Sequence, residues 1–275
     1  MEFASALRAV RSRAPLVQCI TNFVTVNDCA NILLAAGASP TMARDIREVE
    51  ESVAGVQALV LNMGAIEDAE AMVLAGRRAN ALGIPVVLDP VAAGVTALRR
   101  DVTARLLREV CFAVIRGNAS EIRALARSEI AGSGVDVAAA DIVTEETVPQ
   151  AVVLAQALAA RIGSVIAISG AIDVIADGQR AVLLRGGCAA MARITGSGCM
   201  VTTLIGAFCG AAPDEPFRAA CAAMGAMNVC GERAEARRLQ NGTGNATFRT
   251  DLIDAVFNLT EEQLDKGVCY EVYKG

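Results

Sequence analysis

Short apolar runs rich in β-branched residues alternate with longer helical patterns along most of this chain, and that alternation leaves few folds open. The runs lie at 16–20, 56–61, 85–89, 112–115 and 164–168; helical periodicity follows the first four, at 25–36, 67–82, 96–108 and 118–127. Near-continuous apolar strands between helices belong to a parallel sheet covered on both faces. Past 164 the period changes. SVIAISG, AIDVIADG and QRAVLLRGG read as successive short strands, with Asp177-Gly178 as a hairpin turn. The spacing predicts an antiparallel edge on the parallel sheet. Helices are expected at 199–211, 215–239 and 246–258, and the polar tail 260–275 as a short edge strand. Phe3, Leu7 and Val10 share one helical stripe, so MEFASALRAVRSRAP reads as a first helix rather than a leader. The stretch 131–147 is the main loop candidate, long enough for a functional flap. No Pro-, Gly- or Ser-rich linker and no repeat divides the 275 residues, and one domain, 1–275, is expected.

Absent residue types narrow the chemistry. The chain has no histidine, which removes His-based triads, His metal sites and imidazole acid–base catalysis. Its only lysines, Lys266 and Lys274, lie in the last ten residues. A Walker A loop and the strand lysine of protein kinases both need a lysine inside the motif, so both classes are excluded. Net charge is −5 and the arginines form no dense run, which argues against nucleic acid and anionic membranes as partners and for a small molecule. The nine cysteines are odd in number, contain no CxxC and sit mostly in apolar stretches. That pattern points to a reducing, cytoplasmic setting without disulfides or zinc. The uncharged stretch 194–213 is the nearest approach to a membrane span, but its apolar part, 199–212, falls short of the ~20 residues needed.

Four constellations carry candidate chemistry. Ile194-Thr195-Gly196-Ser197-Gly198-Cys199 opens a helix. A glycine-rich turn there aims unpaired N–H groups and the positive helix end at one point, an anion site that needs no lysine. Cys199 sits where a helix N-terminus is expected to depress a thiol pKa, although buried apolar cysteines are common in this chain. Arg116-Gly117-Asn118-Ala119-Ser120-Glu121 follows a strand, so Arg116 faces the crevice where α/β ligands bind. Asn118 and Glu121 read either as a capping box or as a site in which Glu121 stands near a magnesium ion through water. Asp89, ending the strand before Pro90, reads either as a turn residue or as the second carboxylate of that metal site. The N-terminal third adds Asn22 in CITN, Met42 in SPTMA and Gly64 after Asn62-Met63; Met42 fits core packing or contact with a sulfur-containing or aromatic ligand. Asp173 and Asp177 read as ordinary hairpin residues.

Together these motifs resemble the ribokinase superfamily. The N-x-x-E of Asn118–Glu121 resembles its magnesium motif, and Thr195-Gly196-Ser197-Gly198 its anion hole. That superfamily usually carries aspartate where this chain has Cys199. G-[ST]-G-C together with CITN, SPTMA, LDPV and RGN is similar to one branch, the hydroxyethylthiazole kinases of thiamine salvage, and the likeness runs from about residue 15 to 262. It implies a ribokinase-like three-layer α/β/α sandwich, mostly parallel with an antiparallel edge. It implies transfer of phosphate from ATP to the hydroxyl of 4-methyl-5-(2-hydroxyethyl)thiazole. Met42, Gly196, Asn22 and Gly64 would meet the thiazole; Arg116, Ser169 and Asn118 would meet ATP; Asp89 and Glu121 would organise Mg2+. Cys199, with the Gly196, Ser197 and Gly198 turn, would serve the reacting groups. Ser169 replaces the family's usual threonine and keeps the hydroxyl. The resemblance also implies a homotrimer with the pocket between subunits. Rival readings are a hydroxymethylpyrimidine or pyridoxine kinase, an ATP-dependent repair dehydratase of the same fold, and a non-catalytic nucleotide sensor. The cysteine at 199 argues against the other kinases, which normally keep the aspartate.

Overall fold

The computed structural model describes residues 2–129 and 143–274. After α1 (Phe3–Arg13), the parallel half runs β1 (Leu16–Ile20), α2 (Val26–Ala36), β2 (Ser39–Thr41), α3 (Val49–Val53), β3 (Ala58–Asn62), α4 (Ala69–Ala81), β4 (Val86–Asp89), α5 (Ala97–Glu109), β5 (Val114–Asn118) and α6 (Ala119–Glu129). Then come α7 (Val148–Ile162), β6 (Val165–Ser169), β7 (Ile172–Ala176), β8 (Ala181–Arg185), α8 (Ser197–Ala211), α9 (Pro216–Asn241), α10 (Asn245–Phe257), α11 (Glu261–Gly267) and β9 (Cys269–Val272). The nine strands form one sheet in the order β2-β1-β3-β4-β5-β6-β7-β8-β9. β1 to β6 pair in parallel, and β7, β8 and β9 add the antiparallel edge expected from the hairpin signals.

The central strands are buried on both faces because their apolar residues alternate between two cores. Along β3, Ala58 and Val60 enter one core while Leu59 and Leu61 enter the other; β6 does the same with Val165 and Ala167 against Ile166 and Ile168. Helices α8 and α9 cover the first face, and α4, α6 and α7 the second. Glycine lets α8 lie close on the sheet: a Cβ on Gly206 would collide with the Val60 side chain. The predicted first helix is α1, with Phe3, Leu7 and Val10 fully buried.

Four elements extend the sequence expectation. β2 has three residues and α3 five, too short to show a period. α7 begins with Pro149 in its first turn and buries Val148, Ala151, Val152, Ala155, Leu158 and Ala159, a helical stripe following the expected loop. The tail is not strand alone: α11, capped by a Thr260–Gln263 capping box, precedes the exposed edge strand β9. Most of the expected flap 131–147 lies outside the described residues; of its end, Val143 is buried and Thr144 donates its N–H to Thr147 Oγ1 at 2.8 Å.

Candidate active site

Parallel strands bring their carboxyl ends to one edge, and the register decides which polar residues meet there. Asn62 at the end of β3 is level with Asp89 at the end of β4. Leu88 pairs with Ile115, which puts Arg116 on β5 next along the edge, and Asn118 is level with Ser169 at the end of β6. Asn22 follows β1. Its Oδ1 accepts from the N–H groups of Val24 and Thr25 and from Thr25 Oγ1, each at 3.1 Å, fixing the turn into α2.

The glycine turn opens α8 onto the same edge. Gly196 stands in the left-handed region at φ 87°, and a Cβ there would come within 2.6 Å of the Thr25 methyl. The first helical bond of α8 runs from the Met200 N–H to the Gly196 carbonyl at 2.8 Å. The N–H groups of Ser197, Gly198 and Cys199 therefore precede the helical ladder and face the strand ends. A Cβ on Gly198 would lie 2.6 Å from Arg116 Nη1, so the guanidinium rests directly on the turn.

Asn62 is the hub of the polar network. Its Nδ2 donates to Asp89 Oδ2 at 2.9 Å and toward Cys199 Sγ at 3.2 Å; its Oδ1 accepts from the Gly64 N–H at 2.8 Å and from Asn22 Nδ2 at 3.4 Å. Asn22 Nδ2 also lies 3.6 Å from Cys199 Sγ. A Cβ on Gly64 would sit 2.6 Å from Asn62 Oδ1 and 2.8 Å from Asn22 Nδ2. Thr202, one turn along α8, donates its hydroxyl to Asp89 Oδ2 at 3.0 Å.

Arg116 is buried, donates to the Ser169 hydroxyl, and holds Nη1 4.0 Å from Asp89 Oδ1. Its Nε is buried with no hydrogen-bond partner among the described residues. Burial pushes the Asp89 carboxyl up to about 6; Arg116 opposes the shift, and the Glu121 charge adds to it. Burial, followed by the negative charge of Asp89, pushes the Cys199 thiol above its ordinary value. The expected depression by the helix end is thus outweighed. Asp173 is buried in the same region, and burial pushes it up to about 6. It accepts from Asn228 Nδ2 at 2.8 Å and from the Gly170 N–H at 3.0 Å.

Asn118 and Glu121 form the capping box: the Glu121 N–H donates to Asn118 Oδ1 at 2.9 Å, and the Asn118 N–H to Glu121 Oε2 at 2.8 Å. Glu121 Oε1 accepts from the Ala92 N–H at 3.0 Å, tying the loop after Asp89 to α6. Asn118 has its carboxamide oxygen committed to the cap, so only its Nδ2 is left for a ligand. Met42 stands just past β2, half-buried against the core, and joins none of these hydrogen bonds. Arg116, Ser169, Ser197 and Gly198 line a cavity of about 720 Å³. Asp173 and Asn228 line it too, so Asp173 is more than the hairpin residue its sequence context suggested. The sequence marks Asn62 only as a member of Asn62-Met63-Gly64, with no role of its own, and does not mark Thr202 or Asn228. A polar side chain ending an otherwise apolar strand was the available signal for Asn62; Thr202 and Asn228 lie inside helical runs and gave none.

A mostly parallel sheet, a glycine-opened helix over its carboxyl edge, and an arginine between that helix and a buried carboxylate define the ribokinase-like class of α/β proteins. The fold agrees with a solved pyridoxal kinase from Staphylococcus aureus in complex with ADP, at TM-score 0.54 and 13% identity over 79% of this chain and 87% of that one. A sequence profile of the Hydroxyethylthiazole kinase family matches residues 7–262, and the chain belongs to that family. A hydroxyethylthiazole kinase of Clostridium acetobutylicum is 46% identical over 269 residues, covering 97% of this chain and 98% of that one. One from Desulfovibrio desulfuricans is 47% identical, covering 92% of each. The solved hydroxyethylthiazole kinase of Pyrococcus horikoshii superposes with a TM-score of 0.86 at 33% identity, covering 99% of both chains. Among the described residues no helix is long and apolar enough to cross a membrane.

Proposed function

We propose that this chain transfers the γ-phosphoryl group of ATP to the hydroxyl of 4-methyl-5-(2-hydroxyethyl)thiazole, giving the thiazole phosphate and ADP for thiamine salvage. Family membership supports the reaction. The observation that carries the site is the Arg116 guanidinium, buried against the α8 turn at Gly198 with Nε unpartnered. A buried cation beside free N–H groups is built for a polyanion. The substrate hydroxyl oxygen forms its bond to the γ-phosphorus as the bond to the β-phosphate oxygen breaks; the electron pair leaves with ADP, and the hydroxyl proton passes to an oxygen of the transferred phosphoryl group and from there to water. Arg116, Ser169 and the N–H groups at 197–199 hold the moving charge, and alignment does most of the work in such a loose transfer. Asn118 Nδ2 faces ATP beside Ser169. Asn22, Gly64, Gly196 and Met42 take the thiazole end.

Asp89 and Glu121 fit a magnesium ion. Both offer hard oxygen donors, and their charges repel in the protein alone. No group of three ligating side chains occurs among the described residues, so water and phosphate would supply the remaining positions. Magnesium bound there supplies neutralisation of the triphosphate charge. We read the assembly as a homotrimer with the site at the subunit interface. In support, Phe23 and Val24 directly follow Asn22 and are 76% and 56% exposed, apolar surface that a neighbouring subunit would cover. The whole chain acts as one domain, and its nine free thiols suit the cytoplasm.

ADP release from ATP and magnesium is expected to rise strongly with the thiazole alcohol and not with a hydroxymethylpyrimidine control. ATP binding with stimulation by neither would replace the kinase reading with a nucleotide sensor. With burial and the Asp89 charge pushing its thiol up, Cys199 on this reading orients the acceptor hydroxyl rather than removing its hydrogen. Cys199→Ala is therefore expected to lose less than about a hundredfold in kcat, the lower bound of general-base contributions. A loss of ten-thousandfold or more with binding intact would make the thiol the base after all. Cys199→Asp, which restores the superfamily's carboxylate, is expected to remain active.

A further inference from the structure

The cavity that holds Arg116 has two chemically opposite walls. Arg116, Ser169 and the Ser197–Gly198 turn present donors. Asp173 and Asn228 present acceptors, for a structural reason. Asn228 uses one Nδ2 hydrogen on Asp173 Oδ2 at 2.8 Å, which fixes the amide and leaves Oδ1 without a donor among the described residues. Asp173 Oδ1 takes the Gly170 N–H at 3.0 Å, and each carboxylate oxygen keeps a further lone-pair site. Gly187, at φ 77°, keeps the wall open: a Cβ there would sit 3.2 Å from both Asn228 Oδ1 and Met191 Sδ. Met191, Val201 and Met224 supply apolar lining.

A nucleoside triphosphate has the matching polarity. Its phosphates only accept, its ribose hydroxyls donate, and its base offers flat apolar faces. On the kinase reading above, we infer that Asp173 and Asn228 read the ribose hydroxyls, so that the site prefers ribonucleotides to deoxyribonucleotides. A wall rich in acceptors and carrying a carboxylate bonds the sugar, as a carboxylate does in dinucleotide folds, and repels a phosphate, which also sets the direction in which the nucleotide enters. Asp173 carries a second duty, because its bond to Gly170 holds the turn that presents Ser169.

The test compares ATP, 2′-deoxyATP and 3′-deoxyATP as donors to the thiazole alcohol, using the full chain. The wild-type KM is expected to rise about tenfold when the bonded hydroxyl is removed, one hydrogen bond's worth of discrimination. Asn228→Ala and Asp173→Asn are expected to raise the ATP KM and bring the deoxy-to-ribo ratio near one. Asn228 is only half-buried and separates recognition from folding should Asp173→Asn perturb the turn. A merely structural role would shift all three nucleotides equally and leave the ratio intact, which would overturn the inference. A wild-type ratio of one would overturn it too, with the kinase reading standing. No turnover with any nucleotide would instead remove the kinase reading itself.

Discussion

Asp89→Asn is expected to lower kcat/KM for the thiazole alcohol by about a thousandfold while the protein still folds, in line with losing one strong electrostatic group at a transition state. The amide fits the site. Its oxygen can replace Oδ2, keeping the bonds from Asn62 at 2.9 Å and Thr202 at 3.0 Å, and its NH2 falls on the Oδ1 side, where Arg116 is 4.0 Å away. What disappears is the charge that opposes Arg116 and that, with Glu121, suits magnesium. Loss of activity with intact circular dichroism and ATP binding is the expected outcome; near-wild-type turnover would remove Asp89 from the machinery. Stability supplies a second readout, in chelator and without magnesium. Burial holds Asp89 near 6 in the folded chain against an ordinary value of 3.8, so the folded state binds the proton more tightly than the unfolded one. The neutral carboxyl is tolerated at low pH. As pH rises from about 4 through 6, ionisation costs the fold up to about 3 kcal/mol, the free energy of a two-unit shift. Asparagine cannot ionise. Denaturant unfolding should thus show the variant gaining on the wild type from about pH 4 through 6 and levelling off above, and a gap that stays constant across about pH 4 to 6 would contradict the buried charge.

Gly198→Ala is expected to cut kcat/KM at least a hundredfold with little change in Tm. The added methyl would lie 2.6 Å from Arg116 Nη1, the movable end of a long side chain. The guanidinium can yield at small cost to the fold, and Gly198 has no positive φ that alanine would strain. Alanine also suits a helix better than glycine. The activity has no such slack, because a displaced Arg116 leaves both the Ser169 hydroxyl and the α8 turn that should grip the phosphates. Gly196 makes the contrast: at φ 87° and against the Thr25 methyl, alanine there strains the backbone itself. Unchanged kinetics for Gly198→Ala would mean that Arg116 does not work from its position on the turn.

Much of this was legible in the chain. Alternating runs gave the parallel sheet, Asp177-Gly178 the antiparallel edge, and the turn at 196–198 the opening of α8. Asp89 and Ser169 fall at strand ends, as strand boundaries predict, whereas Arg116, expected just past its strand, lies inside β5, which runs on to Asn118. Two readings of Asn118 and Glu121 competed, and the geometry shows the capping box while leaving Glu121 beside the Asp89 loop. Sequence alone does not separate Asp173 from an ordinary hairpin residue, because a hairpin aspartate and a cavity wall look alike until α9 brings Asn228 against it. The thiol shifts against the helix-end expectation because sequence shows the helix end but neither the burial of Cys199 nor the nearness of Asp89.

The division between sequence and structure follows from range. Strand and helix periods, turns, and the identities of donors and acceptors are properties of neighbours a few residues apart, and one chain read in order determines them. Register, burial and electrostatic coupling depend on residues that meet only after folding. Asn62 meets Asp89 through the pairing of β3 with β4, and Thr202 reaches Asp89 across 113 positions of sequence. Arg116 lies against Gly198 because α8 packs on the sheet at Gly206. The chain thus carried the chemistry of each group, and the packed sheet decided which groups share a charge, a proton or a ligand.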